Sequence, residues 1–538
     1  MAYMRIDKKE GDQYIRIIKS KRSQGKVVKE TIYNLGKVSD YTPAMLKRFG
    51  ERFYELGGGD PRELLKGAVE EIGRFNYGYY QLFSKIFSIY SLDKLLKRIE
   101  DKHDLNINLI NCIMLMLLER LHEPCSKRAN FLHQDEYLGI DKVELHHLYR
   151  SLDYLAQYST QIQNNIYQPG RDLFNQTLDI VFYDVTTFYF ESSLEKDEEL
   201  RQMGFSKDGK IGSTQILFGL LIDKHKQPIG YQIYKGDTFE GHTFENALKQ
   251  LKEQYQIQNI IVVADRGMLS RKNIEITTEQ NHYEFILGER LKTLPENIKI
   301  FLLNLNNNYT RTWVYNKDGE QICIRYCTIE HEGRTIICTY SEKRAEKDRK
   351  ERLDKLNKAD KLLKQPNLLK KKAHHYYLKT DDKTSYYLNE EKIKQSEKYD
   401  GFLAISTNAK HLAIEEVLNN YRHLYQIEHS FRTFKTHLET RPMFHWTDSR
   451  IEGHICLCYI AYTLLTHVQN KLLKSNVRLS ENQIRKALDS MQVSLIKDNE
   501  DYFYLRSANK ENVDVLVNRM SIKKLPNIIP QKEIQNYI

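Results

Sequence analysis

The alternation of apolar and polar positions divides the chain into segments of different character. Residues 14–18 and 26–33 alternate with the two-residue period of half-exposed strands and flank a polar turn, so they predict a hairpin of two basic strands. A glycine-rich break at residues 57–61 leads into a helical stretch that continues to about Pro169. Within it, residues 107–120 are apolar nearly all round, as in a buried helix.

From about Leu178 the pattern changes to short apolar strands. Residues 180–190 are apolar at both even and odd positions, which is typical of a strand covered on both faces. Residues 215–223 and 229–234, separated by a short polar loop, predict a hairpin. Next come a helix capped by Thr243, a strand ending at Asp265, a short helix from Ser270 and a strand at residues 283–287. This order of elements is the layout of a ribonuclease-H-like α/β core.

A long segment then delays the next element expected of such a core. Residues 310–340 alternate as strands, and residues 343–372 predict one long helix with thirteen basic and five acidic residues. Residues 402–406 form a returning strand, and residues 453–474 form a mostly apolar helix. We therefore interpret residues 291–400 as a β-rich insertion with one basic helix. That helix suits a polyanion, while its mixed-sign pairs at helical spacing also fit a solvated face.

Composition adds a modest basic surplus. Among 538 residues, Lys and Arg number 82 against 72 Asp and Glu, for a net charge of +10 that favours a polyanionic partner. The seven cysteines lack framework spacing, which indicates free thiols in a reducing compartment, and Cys323, Cys327 and Cys338 favour packed thiols over a zinc site. The N-terminus is charged, and the apolar stretch at residues 109–118 is too short to span a bilayer. We predict a cytoplasmic protein without a membrane partner.

Three acidic residues carry the candidate chemistry. Asp184 lies inside an apolar strand, Asp265 ends a second one, and Glu428 lies in a helical stretch. A carboxylate in apolar surroundings is costly unless a cation or hydrogen bonds compensate it. Hard cations such as Mg²⁺ or Mn²⁺ prefer oxygen ligands, and two such ions can drive phosphodiester chemistry. The alternative, that each acid is a cap, a turn residue or half of an ion pair, stays open for any one of them alone.

The helix around Glu428 carries further polar groups on the same face. Tyr421, Arg432 and Lys435 stand at −7, +4 and +7 from it, positions that one face of a helix shares. They could hold DNA phosphates beside a metal-bound acid, although a solvated face has the same pattern. Arg266 follows Asp265 and is either a DNA contact or an ordinary turn arginine.

These spacings resemble a known signature. Tyr421, Glu428 and Lys435 match the Tyr-x2-Arg-x3-Glu-x6-Lys motif of DDE transposases of bacterial insertion sequences, the group typified by insertion sequence four. Leu424 occupies the arginine position, and Arg422, the nearest arginine upstream, is a further candidate DNA contact. Residues 183–187 and 264–267 resemble the other two motifs of that family.

The resemblance implies both a mechanism and partners. The three acids would be catalytic and would bind two Mg²⁺ ions, with Mn²⁺ as an alternative. Water would nick double-stranded DNA at the terminal inverted repeats of the element, and the freed 3′-hydroxyl would attack the other strand or target DNA. Such enzymes also carry a β-rich insertion between the second aspartate and the glutamate. Pairing of two DNA ends implies a homodimer on DNA.

The predicted fold is therefore a multidomain α/β protein with a ribonuclease-H-like catalytic core interrupted by a β-rich insertion, a helical N-terminal DNA-binding region and a helical C-terminal part. The predicted boundaries are 1–60 (basic hairpin segment), 61–172 (helical DNA-binding region), 173–290 and 401–475 (the two parts of the core), 291–400 (insertion) and 476–538 (C-terminal region). Two rival functions stay open, a metal-dependent DNA nuclease of the same fold without joining activity and a non-catalytic, transposase-derived DNA-binding protein.

Overall fold

A computed structural model describes most of the chain. The described residues are 2–9, 11–23, 26–60, 69–174, 180–195, 199–204, 212–257, 260–317, 319–363, 376–380, 386–498 and 501–538. They form two compact units. The first contains Met1–Arg74, Val493–Ser507 and Leu525–Asn536, and the second contains Phe75–Gln492, Ala508–Lys524 and Tyr537–Ile538.

The secondary structure is mixed. In chain order the strands are β1 (Ala2–Lys9), β2 (Asp12–Ser23), β3 (Lys26–Lys37), β4 (Val69–Asn76), β5 (Ile180–Tyr189), β6 (Gln202–Met203), β7 (Thr214–Asp223), β8 (Pro228–Lys235), β9 (Ile261–Ala264), β10 (Glu284–Glu289), β11 (Arg311–Lys317), β12 (Glu320–His331), β13 (Arg334–Tyr340), β14 (Leu378–Thr380), β15 (Tyr386–Leu388), β16 (Phe402–Thr407), β17 (Gln492–Asp498), β18 (Asp501–Arg506) and β19 (Ile528–Pro530). The helices are α1 (Pro43–Leu56), α2 (Gly78–Ile89), α3 (Leu92–His103), α4 (Leu109–His122), α5 (Lys127–His133), α6 (Leu145–Gln157), α7 (Ser159–Phe174), α8 (Glu240–Lys249), α9 (Arg271–Glu275), α10 (Glu296–Leu303), α11 (Leu305–Asn308), α12 (Glu342–Leu363), α13 (Glu390–Glu397), α14 (Ile414–Arg422), α15 (Tyr425–Arg432), α16 (Asp448–Lys474), α17 (Glu481–Asp489) and α18 (Val513–Met520).

In the first unit, the predicted hairpin of basic strands is confirmed as β2 and β3. β1 adds a third antiparallel strand in the order β1-β2-β3. It is stabilised by cross-strand pairs such as Arg16 with Asp7, at 3.4 Å. A second sheet has the order β19-β18-β17-β4. β4 is a departure from the helix predicted for this part of the chain, because its extended conformation depends on pairing with a strand more than four hundred residues later.

The second unit contains a helical layer with α16 as its most buried helix. α16 packs against α4 and α6, and nineteen of its residues are buried. Gly453 is required there, because a side chain at this position would overlap the Leu152 carbonyl of α6. Among the described helices, α16 alone is long and apolar enough to cross a membrane, and 94% of its apolar window is buried within the protein. Its apolar character is that of a core helix.

The main sheet of the second unit contains ten strands. Its order is β11-β12-β13-β16-β10-β9-β5-β7-β6, and β8 pairs with β7. The predicted hairpin is confirmed as β7 and β8, and β9 lies parallel between β5 and β10. The returning strand β16 is antiparallel to both β10 and β13. Strands β11, β12 and β13 of the predicted insertion thus extend the same sheet, whereas β14 and β15 pair with each other in a separate two-stranded sheet.

Two predicted helices differ in their bounds. α8 begins at Glu240, and the Thr243 hydroxyl donates to the Glu240 carbonyl at 2.6 Å, so Thr243 is not the cap. α12 covers most of the predicted basic helix, and residues 364–372 of that prediction lie outside the described residues. The short helix α9 begins as predicted, because the Ser270 side chain accepts from the Asn273 amide at 3.1 Å.

A buried ion pair joins β10 to β13 in this sheet. Arg334 Nη1 lies 2.8 Å from Glu289 Oε2, and the two side chains are 12% and 2% exposed. Removing one partner would leave the other charge buried and uncompensated. We therefore expect Arg334→Ala to lower the free energy of unfolding by about 3–5 kcal/mol. Urea unfolding of the full chain measures this change.

The matched control is Lys272→Ala, which breaks an exposed pair with Glu245 at 2.8 Å. It should cost about 1 kcal/mol or less, because solvent screens surface pairs. Equal effects of the two substitutions would contradict a structural role for the Arg334 pair.

Candidate active site

The pairing of β5 with β9 places the two predicted aspartates side by side. Tyr183 pairs with Ala264 in the parallel register, so Asp184 and Asp265 are the next residues on neighbouring strands. Asp184 is half-buried, and its Oδ1 accepts from the Val185 amide at 2.7 Å. Asp265 is exposed and keeps an extended conformation immediately beyond the end of β9. Both carboxylates therefore lie at one place on the sheet.

Both aspartates are on the face of the sheet that α15 covers. Tyr183 and Ala264 belong to a buried cluster with Phe244 of α8, on the opposite face. Because successive strand residues alternate between faces, Asp184 and Asp265 are on the other side. On that side the ring centroid of Phe188, in β5, lies 6.5 Å from that of Phe434, which is in the turn that follows α15.

The Tyr421 hydroxyl lies against the edge of this site. A Cβ on Gly288 would lie 2.5 Å from the Tyr421 hydroxyl oxygen and 2.8 Å from the Arg266 amide nitrogen. Burial raises the pKa of Tyr421, and the negative charge of Asp265 raises it further, whereas Arg266 and Arg344 act in the opposite direction. The charge of Asp184 also raises this pKa. The phenol is therefore neutral at physiological pH and within electrostatic reach of both aspartates.

Glu428 lies on α15 with its neighbours packed inward. Ile427 is fully buried and Phe431 is 7% exposed, whereas Glu428 itself is exposed. α15 contacts β5, so Glu428 belongs to the helix that covers the aspartate face. Within the described parts of the chain, the three acids do not form a set with all ligand oxygens within 4.8 Å of one another.

The expectation that all three acids lie in apolar surroundings is therefore wrong. Asp265 and Glu428 are exposed and Asp184 is half-buried. The apolar residues beside them in the chain alternate onto other faces of the strand or helix, which a run of residue types along the sequence does not reveal. Water can therefore solvate Asp265 and Glu428, and it reaches part of Asp184.

The predicted helical stretch of residues 421–435, here called the signature segment, is not one helix, because α14 ends at Arg422 and α15 begins at Tyr425. Tyr421 therefore does not share one helix face with Glu428, and the basic residues of the segment occupy different environments. The Arg422 guanidinium carbon lies 3.8 Å from the centroid of the Tyr315 ring, so this arginine stacks on β11. Arg432 is exposed and Lys435 is half-buried. Arg422 thus helps to attach α14 to the hairpin of β11 and β12, together with a hydrogen bond of 2.6 Å from the Tyr326 hydroxyl to Glu415.

Three residues at this site were missed by sequence reasoning. Arg344, near the start of α12, affects the pKa of Tyr421 through its charge. Arg290 donates from Nε to the Arg266 carbonyl at 3.1 Å, and Gly288 makes room for Tyr421. A basic helix was visible in the sequence, but its approach to Tyr421 depends on β13 lying next to β16 in the sheet.

The close contact at Gly288 can be tested by substitution. Gly288→Ala would force the Tyr421 hydroxyl and the Arg266 backbone apart, and we expect a loss of about 1–3 kcal/mol in stability. Adding Tyr421→Phe removes one of the two obstacles, so the double variant should recover part of the loss. Thermal unfolding measures both. Gly50→Ala, with no atom within 4 Å of the new methyl group, serves as the control and should be neutral or slightly stabilising.

Comparison with known proteins identifies the family of the chain. The family model described as "Transposase DDE domain" matches residues 175–464, more than half of the chain. No curated protein sequence matches the chain. Among solved structures, a piggyBac transposase synaptic complex with hairpin DNA has a TM-score of 0.37 and 10% identity, covering 77% of this chain and 78% of that chain. The Mos1 transposase paired-end complex with left transposon end has a TM-score of 0.15 and 15% identity, covering 36% of this chain and 57% of that one. On the extent of the family match, the chain belongs to the DDE-domain transposases.

Proposed function

We propose that this protein cuts DNA at the ends of an insertion sequence and joins the freed ends to target DNA. The observation that carries the proposal is the parallel register of β5 and β9, which sets Asp184 beside Asp265 on the face covered by the helix of Glu428. Family membership supports the same activity. The catalytic residues of this proposal are those three acids.

The donor set fits divalent metal ions. Carboxylate oxygens that water can reach suit Mg²⁺, with Mn²⁺ as an alternative, because both ions prefer oxygen ligands and keep several waters. A pair of ions does not require every acid to reach every ion, so the spread of the three carboxylates is compatible with two ions sharing them. Ions held by these acids would lower the pKa of the attacking water or 3′-hydroxyl and would stabilise charge on the leaving oxygen.

The side chains around the acids would position the DNA strand. Tyr421 has a neutral hydroxyl that can donate a hydrogen bond to a phosphate oxygen, and Arg266 and Arg344 supply positive charge beside it. Arg432 and Lys435 supply further positive charge along the signature segment. Arg422 would act indirectly, through its stacking on Tyr315.

The assignment to a group within the family follows from the motif in the signature segment, residues 421–435. We place the chain in the insertion-sequence-four group, with residues 291–400 as the insertion between the second aspartate and the glutamate. The partners would be double-stranded DNA with terminal inverted repeats, target DNA and a second copy of this chain when two ends are paired. The site of action would be the bacterial cytoplasm, at the nucleoid. The proposed parts of the chain are those of the sequence prediction, with residues 61–172 contacting the element ends.

Catalysis by the acids predicts a separation of cleavage from binding. Asp184→Asn removes a metal-binding negative charge with little change in shape, so nicking should fall by roughly 10²-fold or more, while DNA affinity stays within about threefold. The substrate is linear DNA carrying the sequences that flank the coding region, assayed with Mg²⁺. Glu253→Gln, an exposed acid on the α8 side of the sheet, is the control and should cut normally. Undiminished nicking by purified Asp184→Asn would sink the assignment.

A second assay separates transposition from plain nuclease action. A pre-nicked element end with a free 3′-hydroxyl should become joined to supercoiled target DNA. Cutting without joined products would favour a nuclease of the same fold. Neither cutting nor joining, with intact DNA binding, would favour a non-catalytic binding protein.

Arg344 offers a test of DNA positioning. If it contacts one phosphate, Arg344→Gln should weaken binding several-fold and reduce the slope of log affinity against log salt by about 0.9. Lys358→Gln, an exposed position nearer the other end of α12, is the matched control. Equal salt slopes for Arg344→Gln and the unmodified protein would remove Arg344 from the DNA interface.

A further inference from the structure

A cluster of three different metal-ligating side chains lies in the helical layer, outside the aspartate site. Glu119 is on α4, Cys125 is in the following turn, and His133 ends α5. Their ligand atoms all lie within 4.8 Å of one another, and they are the one such group of His, Cys, Asp and Glu in the part of the chain that the structure describes. The cluster is local in sequence, spanning one helix–turn–helix.

The distances within the cluster are close to those around a tetrahedral ion. Cys125 Sγ lies 2.9 Å and His133 Nδ1 lies 3.1 Å from Glu119 Oε2. Zinc bonds of about 2.0–2.3 Å place neighbouring ligand atoms roughly 3.3–3.8 Å apart. An expansion of less than 1 Å would therefore admit the ion. The Glu119 side chain is 2% exposed, so its carboxylate needs a partner of opposite charge or several hydrogen bonds.

Asn130 is a second observation that indicates a ligand. It is 1% exposed, and its Nδ2 donates to Glu119 Oε2 at 3.3 Å and to Cys125 Sγ at 2.9 Å. Its Oδ1 is buried and has no hydrogen-bond partner. A half-turn of the amide would exchange nitrogen and oxygen and direct this unsatisfied oxygen at Glu119 and Cys125. A buried amide oxygen without a hydrogen-bond partner is costly, and a cation bound among these side chains would satisfy it. Lys127, which is also buried, interacts electrostatically with both Glu119 and Cys125.

We propose that Glu119, Cys125 and His133 bind a Zn²⁺ ion, with the Asn130 amide closing the fourth side. Thiolate, imidazole and carboxylate together favour a borderline-soft ion over Mg²⁺ or Ca²⁺. Bound Zn²⁺ would neutralise one thiolate and one carboxylate. The His133 side chain is 43% exposed, so an ion can reach the site from solvent.

The ion would hold α5 against α4 and stabilise the C-terminal end of the signature segment. Arg120, beside Glu119, donates from Nη2 to the Cys125 carbonyl at 3.3 Å and from Nη1 to the Leu438 carbonyl at 3.1 Å. Leu438 directly follows the turn that carries Lys435. The same arginine therefore connects the metal cluster to the segment after the proposed catalytic glutamate. The zinc would be structural, and this role does not depend on the transposase activity.

Cobalt substitution tests the site directly in the full-length chain. Co²⁺ bound to a thiolate gives an intense sulfur-to-metal charge-transfer band in the near ultraviolet, which carboxylate-bound Co²⁺ lacks. We expect one equivalent of Co²⁺ to produce this band and one equivalent of Zn²⁺ to abolish it. Zn²⁺ should also raise the melting temperature of the metal-free protein.

Two variants and two controls locate the ion. Cys125→Ser should lose the band and the thermal shift, and His133→Ala should weaken Co²⁺ binding at least tenfold while the exposed histidine position tolerates the change. Cys323→Ser, an exposed cysteine on β12, and Asp184→Asn should both keep the band. Absence of the band in the unmodified protein, or its persistence in Cys125→Ser, would overturn the proposal. Circular dichroism confirms that each variant is folded before titration.

Discussion

The parallel pairing of β5 with β9 is the constraint on which the proposed site depends. Hydrogen bonds along two parallel strands set the register residue by residue, so Tyr183 opposite Ala264 makes Asp184 and Asp265 neighbours. A slip of one residue would turn one aspartate into the apolar cluster under α8. That slip would bury an unpaired charge, so hydrophobic burial on one face and solvation of the carboxylates on the other select the same register.

The rest of the site is assembled against this pair. α14 places Tyr421 against Gly288. Only a glycine at this position leaves room for the phenol hydroxyl beside the Arg266 backbone. The hairpin of β11 and β12 holds the other side of α14 through the stacking of Arg422 on Tyr315. Although these strands come from the long segment between the second aspartate and the glutamate, they continue the core sheet through β16. The long segment between the second aspartate and the glutamate thus helps to position the signature segment, residues 421–435.

The charges at the site remain accessible to water. Asp265 and Glu428 are exposed and Asp184 is half-buried, and Arg266 and Arg344 are close enough to influence Tyr421. Accessible carboxylates flanked by arginines can accept hydrated cations and a phosphate backbone together. A second charge pair lies away from the site. Arg352 lies 2.5 Å and 2.7 Å from the two carboxylate oxygens of Asp400, an arrangement that anchors α12 to the segment before β16.

The sequence by itself determined the core strands, the β7–β8 hairpin, the buried helix α16 and the three acids, because apolar periodicity and local turn chemistry are written in consecutive residues. β1 and β4 were not predicted, since β1 is almost entirely exposed and β4 gains its extended form from distant partners. The stacking of Arg422 on Tyr315 and the approach of Arg344 to Tyr421 are visible only in the three-dimensional structure. It also brought Glu119, Cys125 and His133 together, although none of the cysteine spacings indicated a metal site. These contacts depend on which faces of the helices and strands pack together. The sequence pattern shows which face of an element is apolar, but it does not show which other element that face contacts.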